Sequence, residues 1–287
     1  MEAETPNAQT TSTPLVDRLK QISRSSHNVS NGLVMARLAV ACTDENLYTR
    51  ALQAFWFIHT SISEAVEKHK DHPALKSIAQ LSARADRKAA FEADLRFFRG
   101  EAWRTRMGAP SAPVKAYMDH ITDISEKDPV LLVAHAYTQQ MALLAGGQRI
   151  SKLISSTLPK VTGSEGVSVF AFREPVSQLK NDYCDAVNAL TDVLDEENLE
   201  RILQEHVQVF ELNNRVIGSF PVRTRHSLQA FKRLMPPELL VCMVAAVFAG
   251  FMIFLVPHFN KFAAWLDGLD APTSLSGNAA GAENAEL

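Results

Sequence analysis

Residues 131–138 read Leu-Leu-Val-Ala-His-Ala-Tyr-Thr, and a glycine pair, Gly146-Gly147, follows eight residues after them. The segment predicts one long buried helix, from about residue 128 to residue 157. Glycine destabilises a helix interior, so a glycine pair indicates a point where this helix loosens. The stretch therefore predicts a protein built around a long internal helix.

The rest of the chain also predicts helices. Strand patterns are scarce, and residues 167–172, the one short candidate, are interpreted as an extended connection. Proline and glycine separate the candidate helices. The predicted helices cover roughly residues 14–27, 30–41, 45–69, 74–98, 112–124, 128–157, 174–192 and 196–218. The predicted fold is all-α, with one helical domain over residues 14–220 and a disordered polar segment over residues 1–13.

Composition excludes several classes of function. The net charge of the 287-residue chain is −3, which gives no reason to expect nucleic acid as a partner. The three cysteines are widely spaced and match neither a disulfide framework nor a zinc site. A reducing compartment follows as the simplest location, and the polar N-terminus does not resemble a signal peptide.

The C-terminal part has a different composition. Residues 239–256 form an 18-residue run without a charge, close to the ~20 residues that span a bilayer. A buried core helix is the alternative, but this run is apolar on every side. We predict a basic linker over 221–238, a transmembrane anchor over 239–257 and a short polar tail over 258–287. Basic residues precede the run and acidic residues dominate after it, which predicts a cytosolic helical domain.

The first predicted helix carries a possible ligand-binding stripe. Lys20, Arg24 and His27 are spaced i, i+4, i+7 and lie on the flank of its apolar face. A neutral imidazole can bind haem iron, and two cations can contact the propionates. The alternative interpretation is a solvated basic flank with an incidental histidine.

Several segments resemble the haem oxygenases of animals and fungi, in order and over about residues 15–220. Residues 87–95, Arg-Lys-Ala-Ala-Phe-Glu-Ala-Asp-Leu, are similar to that family's RKAALEQDL segment, and 131–138 resemble its LLVAHAYT run. Residues 19–27 resemble its proximal helix. Further similarities occur at residues 164–166, 170–172 and 210–213. The resemblance implies an all-α haem-oxygenase-like helical bundle with a C-terminal transmembrane helix, and haem held between the first and the distal helix.

The resemblance also implies roles for particular residues. His27 would be the axial ligand of the haem iron, and Phe210 would form a wall of the pocket. Gly146 and Gly147 would let the distal backbone approach the haem, where a Cβ would clash. The residues expected near the propionates are Lys20, Arg24, Tyr137 and Lys180. A purely structural role in the core is the alternative for Tyr137 and Phe210.

The sequence departs from the family at the distal helix. Ala142-Leu143 stand where the family has Gly-Asp, and the aspartate orders water that delivers a proton during oxygen activation. A leucine side chain neither accepts nor donates a hydrogen bond. Gln139 and Gln140, one turn earlier, are possible water-ordering substitutes. His135 is interpreted as a core histidine that hydrogen-bonds to a neighbouring helix, and Cys184 replaces a family arginine.

Three functions remain as hypotheses. The first is a haem oxygenase that opens haem to biliverdin, CO and ferrous iron, with O2 and electrons from NADPH through a flavoprotein reductase at a membrane, expected to be the endoplasmic reticulum. The second is a non-degrading haem binder (a sensor, buffer or carrier) or a peroxidase-like protein, which Leu143 favours. The third is a haem-free scaffold. No Glu-x-x-His pair supports a di-iron site.

Overall fold

The computed structural model describes residues 13–26 and 30–235, together with residues 238 and 246. No strand occurs among these residues, so the predicted all-α class is confirmed. The helices are α1 (Leu15–Ser26), α2 (Ser30–Ala41), α3 (Glu45–Lys68), α4 (Lys76–Arg84), α5 (Lys88–Arg99), α6 (Trp103–Arg106), α7 (Ala112–Lys127), α8 (Leu132–Thr157), α9 (Val176–Asn188), α10 (Glu196–Gly218) and α11 (Thr224–Leu234). Short 3-10 turns occur at Pro129–Leu131, Ser168–Phe170 and Ala189–Asp192.

Local signals in the sequence account for where several helices begin and end. The carboxylates of Asp44 and Asp195 accept hydrogen bonds from backbone N–H groups in the first turns of α3 and α10. Pro113 lies in the first turn of α7, where its missing N–H costs nothing. Gly100, with a φ of 76°, follows the last residue of α5. These caps fix the lengths of the helices that surround the core.

Helix α8 lies at the centre of the bundle. It packs against α3, α9 and α10, and residues 132–140 are all buried. The long buried helix predicted from residues 131–138 is therefore present. Its α-helical structure continues without a break across Gly146 and Gly147, which differs from the predicted loosening at the glycine pair.

Three segments differ from the predicted elements. The predicted helix over 74–98 is two helices, because Arg87 donates its guanidinium hydrogen bonds to the carbonyls of Ala85 and Asp86 and interrupts the helix there. Residues 167–172 contain a 3-10 turn instead of a wholly extended connection. The predicted linker over 221–238 contains α11, which packs against α2.

The chain divides into two compact units, residues 1–234 and residues 235–287. All the helices above and their buried clusters belong to the first unit. None of the helices formed by the described residues has the length and hydropathy of a membrane span. The predicted anchor over 239–257, apart from residue 246, lies outside the described residues, as do the tail over 258–287 and the N-terminal residues 1–12.

Candidate functional site

A cavity of about 610 Å³ opens between α2, α3, α8 and α10. This volume is within the ~300–1,000 Å³ that small-molecule sites occupy. Most of its lining is apolar or aromatic: Val34, Met35, Leu38, Leu52, Phe55, Phe91, Leu143, Ile150, Val169, Phe170, Phe210 and Ile217. The polar side chains in its wall come from Tyr48, His59, Gln139, Asn213 and Asn214. The cavity therefore suits a large apolar ligand with a few polar contacts.

Helix α8 contributes one face to this cavity. Gln139, Ala142, Leu143 and Gly146 line it, with the i, i+3, i+4, i+7 spacing of a helical face. A Cβ at Gly146 would meet no atom within 4 Å, so open space lies in front of this residue. The positions where the sequence departs from the family, Ala142 and Leu143, thus lie in the cavity wall.

Gly147 lies on another face of α8. A Cβ at this position would be 2.9 Å from Cδ1 of Phe170, which belongs to the 3-10 turn. The close packing of Phe170 explains why glycine is needed here, whereas Gly146 is the glycine that lines the cavity. The glycine pair therefore has two separate environments that its sequence does not distinguish.

The two glutamines of α8 also differ. The amide nitrogen of Gln139 donates to the hydroxyl oxygen of Tyr117 (3.0 Å) and to Oδ1 of Asn213 (2.9 Å). Gln140 does not line the cavity, and its amide nitrogen donates to the carbonyl of Ala85. Of the two candidate water-ordering residues, only Gln139 lies at the cavity wall.

A buried polar cluster contacts Tyr117, the residue to which Gln139 donates. Nδ1 of His135 lies 3.0 Å from the Tyr117 hydroxyl. Oε1 of Glu205 accepts hydrogen bonds from Nε2 of His135 (2.7 Å) and Nε2 of His120 (2.6 Å). His135 is thus a core histidine that bonds to neighbouring helices, as predicted. The four side chains link α7, α8 and α10 directly behind Gln139.

The charges in this cluster follow from burial and hydrogen bonding. Although burial raises the pKa of Glu205, its bonds with His120 and His135 outweigh burial and lower it to about 2. The bond to Glu205 raises the pKa of His120, whereas burial lowers the pKa of His135. At neutral pH the cluster therefore contains an ionised carboxylate and a neutral, fully buried imidazole.

His59 of α3 is a cavity residue that the sequence analysis missed. Its ring packs against Phe91 with centroids 5.1 Å apart. Burial, together with the positive charge of Arg87, lowers the pKa of His59 to about 4, so this imidazole is neutral. A histidine directly after the apolar residues Phe55-Trp56-Phe57-Ile58 was the available signal, because it shares the buried face of the helix.

Cys42, at the end of α2, is the thiol of the cavity wall. Its side chain is buried among the apolar residues that continue from the cavity into the core. Burial raises the pKa of this thiol to about 12, so it is protonated at neutral pH.

A smaller cavity of about 200 Å³ lies between α1, α8 and α10. Ala142 and Phe210 line both cavities, while Lys20 and Tyr137 line the smaller one. Nζ of Lys20 is exposed and pairs with Asp17 at 3.0 Å. Two of the four predicted propionate contacts are therefore grouped on this side of Phe210.

The other predicted contacts are placed less fully. Lys180 on α9 is half-buried and lines neither of these two cavities. Arg24 belongs to α1, but its side chain is not among those described. His27, the predicted axial ligand, lies outside the described residues. Burial raises the pKa of Tyr137, as does the neighbouring Cys184, so its hydroxyl is protonated.

Comparison with known proteins identifies the family. The family model for heme oxygenase matches residues 13–219. Heme oxygenase 1 of Gallus gallus is 30% identical over 220 residues, which cover 75% of this chain and 73% of that protein. The structure of heme oxygenase 2 from Chlamydomonas reinhardtii, solved without haem, has a TM-score of 0.68 and 28% identity, covering 74% of this chain and 100% of that one.

The same fold occurs in heme oxygenase-1 of the cyanobacterium Synechocystis, solved in complex with haem. Its TM-score is 0.65 at 24% identity, covering 83% of this chain and 100% of that chain. The all-α bundle formed by the described residues agrees with these matches. The chain belongs to the haem oxygenase family.

Proposed function

We propose that this protein opens haem to biliverdin, CO and ferrous iron, using O2 and electrons that an NADPH-dependent flavoprotein reductase supplies. The large cavity beside α8 is the observation that carries this proposal. Its apolar lining suits a porphyrin ring, and the open space in front of Gly146 lets a flat ligand approach the helix backbone. Membership of the haem oxygenase family supports the same ligand.

The chain's residues take distinct roles in this proposal. His27 binds the iron, which activates O2 when haem is bound. Lys20 and Tyr137 contact the propionates from the smaller cavity, with Arg24 and Lys180 as further contacts. Phe210, which lines both cavities, packs against the ring. The apolar wall excludes bulk water from the ligand.

Gln139 orders water in place of the family's aspartate. Both hydrogens of its amide are donated, to Tyr117 and Asn213, so its amide oxygen is the atom left to accept from water in the cavity. The cluster of His135 and Glu205 behind Tyr117 keeps this amide in one orientation. A fixed acceptor of this kind positions the water that supplies a proton.

The experiment compares Gln139→Leu with Gln140→Leu. The full chain is loaded with haemin, supplied with reductase and NADPH, and followed by visible absorption and CO release. We expect the wild type and Gln140→Leu to form biliverdin, and Gln139→Leu to retain the Soret band of bound haem with biliverdin formation slowed about tenfold or more. Equal rates in all three proteins would contradict the role of Gln139.

A non-degrading haem protein, which stores, senses or carries haem or acts as a peroxidase, is the second candidate. The methyl groups of Ala142 and Leu143 in the cavity wall favour it, because they dry the space beside the ligand. In the same experiment this function predicts a stable Soret band, or bleaching without biliverdin, in the wild type. His27→Ala tests the axial ligand in both cases, since haem without this ligand loses the wild-type spectrum.

We also propose that residues 239–257 anchor the protein in a membrane, with the helical domain in the cytosol and the endoplasmic reticulum as its location. The support is the uncharged run over 239–256 and the basic residues before it. Fractionation of cells that express the full chain and a chain ending at residue 235 tests this. Recovery of the full chain in the soluble fraction would contradict the anchor.

A further inference from the structure

Helix α11 has an exposed apolar stripe. Leu228, Phe231 and Leu234 are 56%, 39% and 47% exposed, and their i, i+3, i+6 spacing places them along one side of the helix. The buried residues of α11, His226 and Ala230, lie on the side that packs against α2. The stripe is therefore extra apolar surface beyond what holds α11 to the bundle.

Positive charge is concentrated around this stripe. Residues 219–237 contain four basic residues and no acidic residue, in a chain whose net charge is −3. Arg225 and Lys232 lie next to each other around the helix, beside the apolar stripe. Arg233 donates to the carbonyl of Thr43, which ties the helix to the end of α2. The surface of α11 thus combines exposed apolar side chains with a local excess of positive charge.

We propose that α11 lies flat on a membrane that contains anionic lipid. Leu228, Phe231 and Leu234 enter the boundary between headgroups and acyl chains, and Arg225 and Lys232 contact lipid phosphates. Amphipathic helices with basic residues beside an apolar face bind membranes in this manner, and each basic residue near an anionic surface contributes about 1 kcal/mol.

Charge favours lipid over a second copy of this chain. A two-fold dimer through this stripe would bring the basic residues of both copies into one interface without acidic partners from residues 219–237, since an isologous interface repeats one surface patch. Anionic headgroups are complementary to that charge. The inference does not depend on haem chemistry or on the proposed anchor, because it concerns residues 224–234 alone.

The test uses a chain that ends at residue 235. It contains the compact unit of residues 1–234 and all three buried clusters, so it keeps the packed core. Flotation with vesicles of phosphatidylcholine alone is compared with flotation with phosphatidylcholine–phosphatidylserine vesicles. We expect the protein to float only with the vesicles that contain phosphatidylserine. The lipid concentration at which half of the protein is bound should rise with salt concentration.

Two comparisons of variants separate the contribution of the basic residues of α11 to membrane binding from that of its apolar stripe. Arg225→Glu with Lys232→Glu is compared with Lys115→Glu and Lys127→Glu, which make the same charge change at exposed sites of α7. We expect the α11 pair to weaken binding about fivefold or more for each positive charge removed, and the α7 pair to have little effect. Phe231→Ser should weaken binding, whereas Val193→Ser, at a valine that is 56% exposed elsewhere, should not.

A measurement on the full chain complements flotation. Amide hydrogen exchange of residues 224–234 should slow when phosphatidylserine is added to the vesicles that hold the protein. Circular dichroism checks that each variant keeps its helical content. Equal flotation with both kinds of vesicle, wild-type binding by the α11 variants, or a dimer in light scattering that Phe231→Ser dissolves would each overturn the proposal.

Discussion

Leu143 is the residue whose identity most affects the chemistry of the cavity. It lies on the same face of α8 as Gln139, one turn away, and both line the cavity. A polar atom at position 143 would therefore share water with the amide of Gln139. The apolar side chain leaves that amide as the hydrogen-bonding group that α8 presents to the cavity.

We predict that Leu143→Asp raises the rate of biliverdin formation. A carboxylate beside Gln139 gives the cavity water a second, charged acceptor, and groups that position a proton contribute about 10²–10⁴-fold to rates. Burying the carboxylate will weaken haem binding at the same time. Single-turnover absorption separates the two effects, with Leu143→Asn as the neutral control. An unchanged or lower rate at saturating haem would show that water in this cavity is already ordered.

The two glycines of α8 should respond in opposite ways to alanine. Gly147→Ala places a Cβ 2.9 Å from Phe170, and such overpacking costs about 1–3 kcal/mol of stability. Gly146→Ala meets no atom within 4 Å and gains up to about 1 kcal/mol of helix propensity, but it fills space that haem requires. Chemical denaturation without haem, followed by haem titration, checks both. Equal stability of the two variants would contradict the environments described for them.

At the scale of elements, the turn after α8 depends on a carboxylate from another helix. Asp94 of α5 is fully buried and accepts hydrogen bonds from the N–H groups of Ser168 (2.8 Å) and Val169 (2.9 Å). These two bonds hold the 3-10 turn that carries Phe170 into the cavity wall and against Gly147. A side chain in α5 thus determines part of the shape of the site.

We predict that Asp94→Ala lowers the free energy of unfolding by about 2 kcal/mol or more, because it leaves the buried N–H of Val169 and the partly buried N–H of Ser168 without their acceptor. In the variant, the 3-10 turn should also exchange its amide hydrogens faster than in the wild type, while the helices of the bundle keep their protection. Asp94→Asn keeps one acceptor oxygen, so its free energy of unfolding should lie between the values of the wild type and Asp94→Ala. Denaturation and hydrogen exchange at residues 166–170 measure these effects. A variant with wild-type exchange in the turn would contradict the role of Asp94.

Most elements could be predicted from the sequence, and the exceptions have physical reasons. The bounds of α2, α3 and α10 agree closely with the predicted ranges. Asp44 and Asp195 cap α3 and α10 locally, which is why a sequence pattern can locate the first residues of these two helices. The break after α4 depends on the long-range position of Arg87, whose guanidinium also donates to the carbonyl of Ala171. The sequence predicts a linker where α11 lies, because only His226 and Ala230 of this helix are buried and basic residues surround them.

At the scale of the whole molecule, the cluster of His120, His135 and Glu205 makes stability depend on pH. Its members come from α7, α8 and α10, so it joins two consecutive helices to a third, α10, that is distant in sequence. The pKa of Glu205 is lowered to about 2 from its ordinary 4.5, so its contribution is complete above pH 4.5 and disappears as the pH falls towards 2. The pKa of His120 is raised in the folded protein, so the protonated imidazole adds stability at low pH. This contribution is lost as the pH rises through the raised pKa of His120.

We predict that Glu205→Gln removes most of the acid-side pH dependence and costs about 3 kcal/mol at neutral pH. The free energy of unfolding is measured by denaturation from pH 7 down to pH 3. The wild type should lose stability over this interval and the variant should lose much less. His135, whose pKa burial lowers, and Glu174, whose pKa its hydrogen bond with Arg84 lowers, contribute to the remaining slope. Parallel curves for the two proteins would contradict the cluster's role.

The sequence was sufficient for the fold and the family, but only partly for the site. Contiguous segments such as residues 131–138 carry the family resemblance, and that resemblance implied that both Gly146 and Gly147 face the haem, whereas only Gly146 lines the cavity. The contact between Gln139 and Asn213 joins residues 74 positions apart, and His59 enters the cavity from a third helix. Such side chains meet only after α3, α8 and α10 have packed, which no local pattern encodes.

The protonated thiol of Cys42 has a consequence for the durability of the protein. The proposed reaction activates oxygen and releases iron, so it would expose the cavity wall to oxidants and to a metal that binds thiolates. The thiolate is the form of cysteine that reacts with oxidants and binds metal ions, and a pKa of about 12 leaves almost none of that form at neutral pH. Burial therefore keeps the sulfur of Cys42 unreactive, so the cavity wall would remain chemically intact through many turnovers in which the bound haem is consumed.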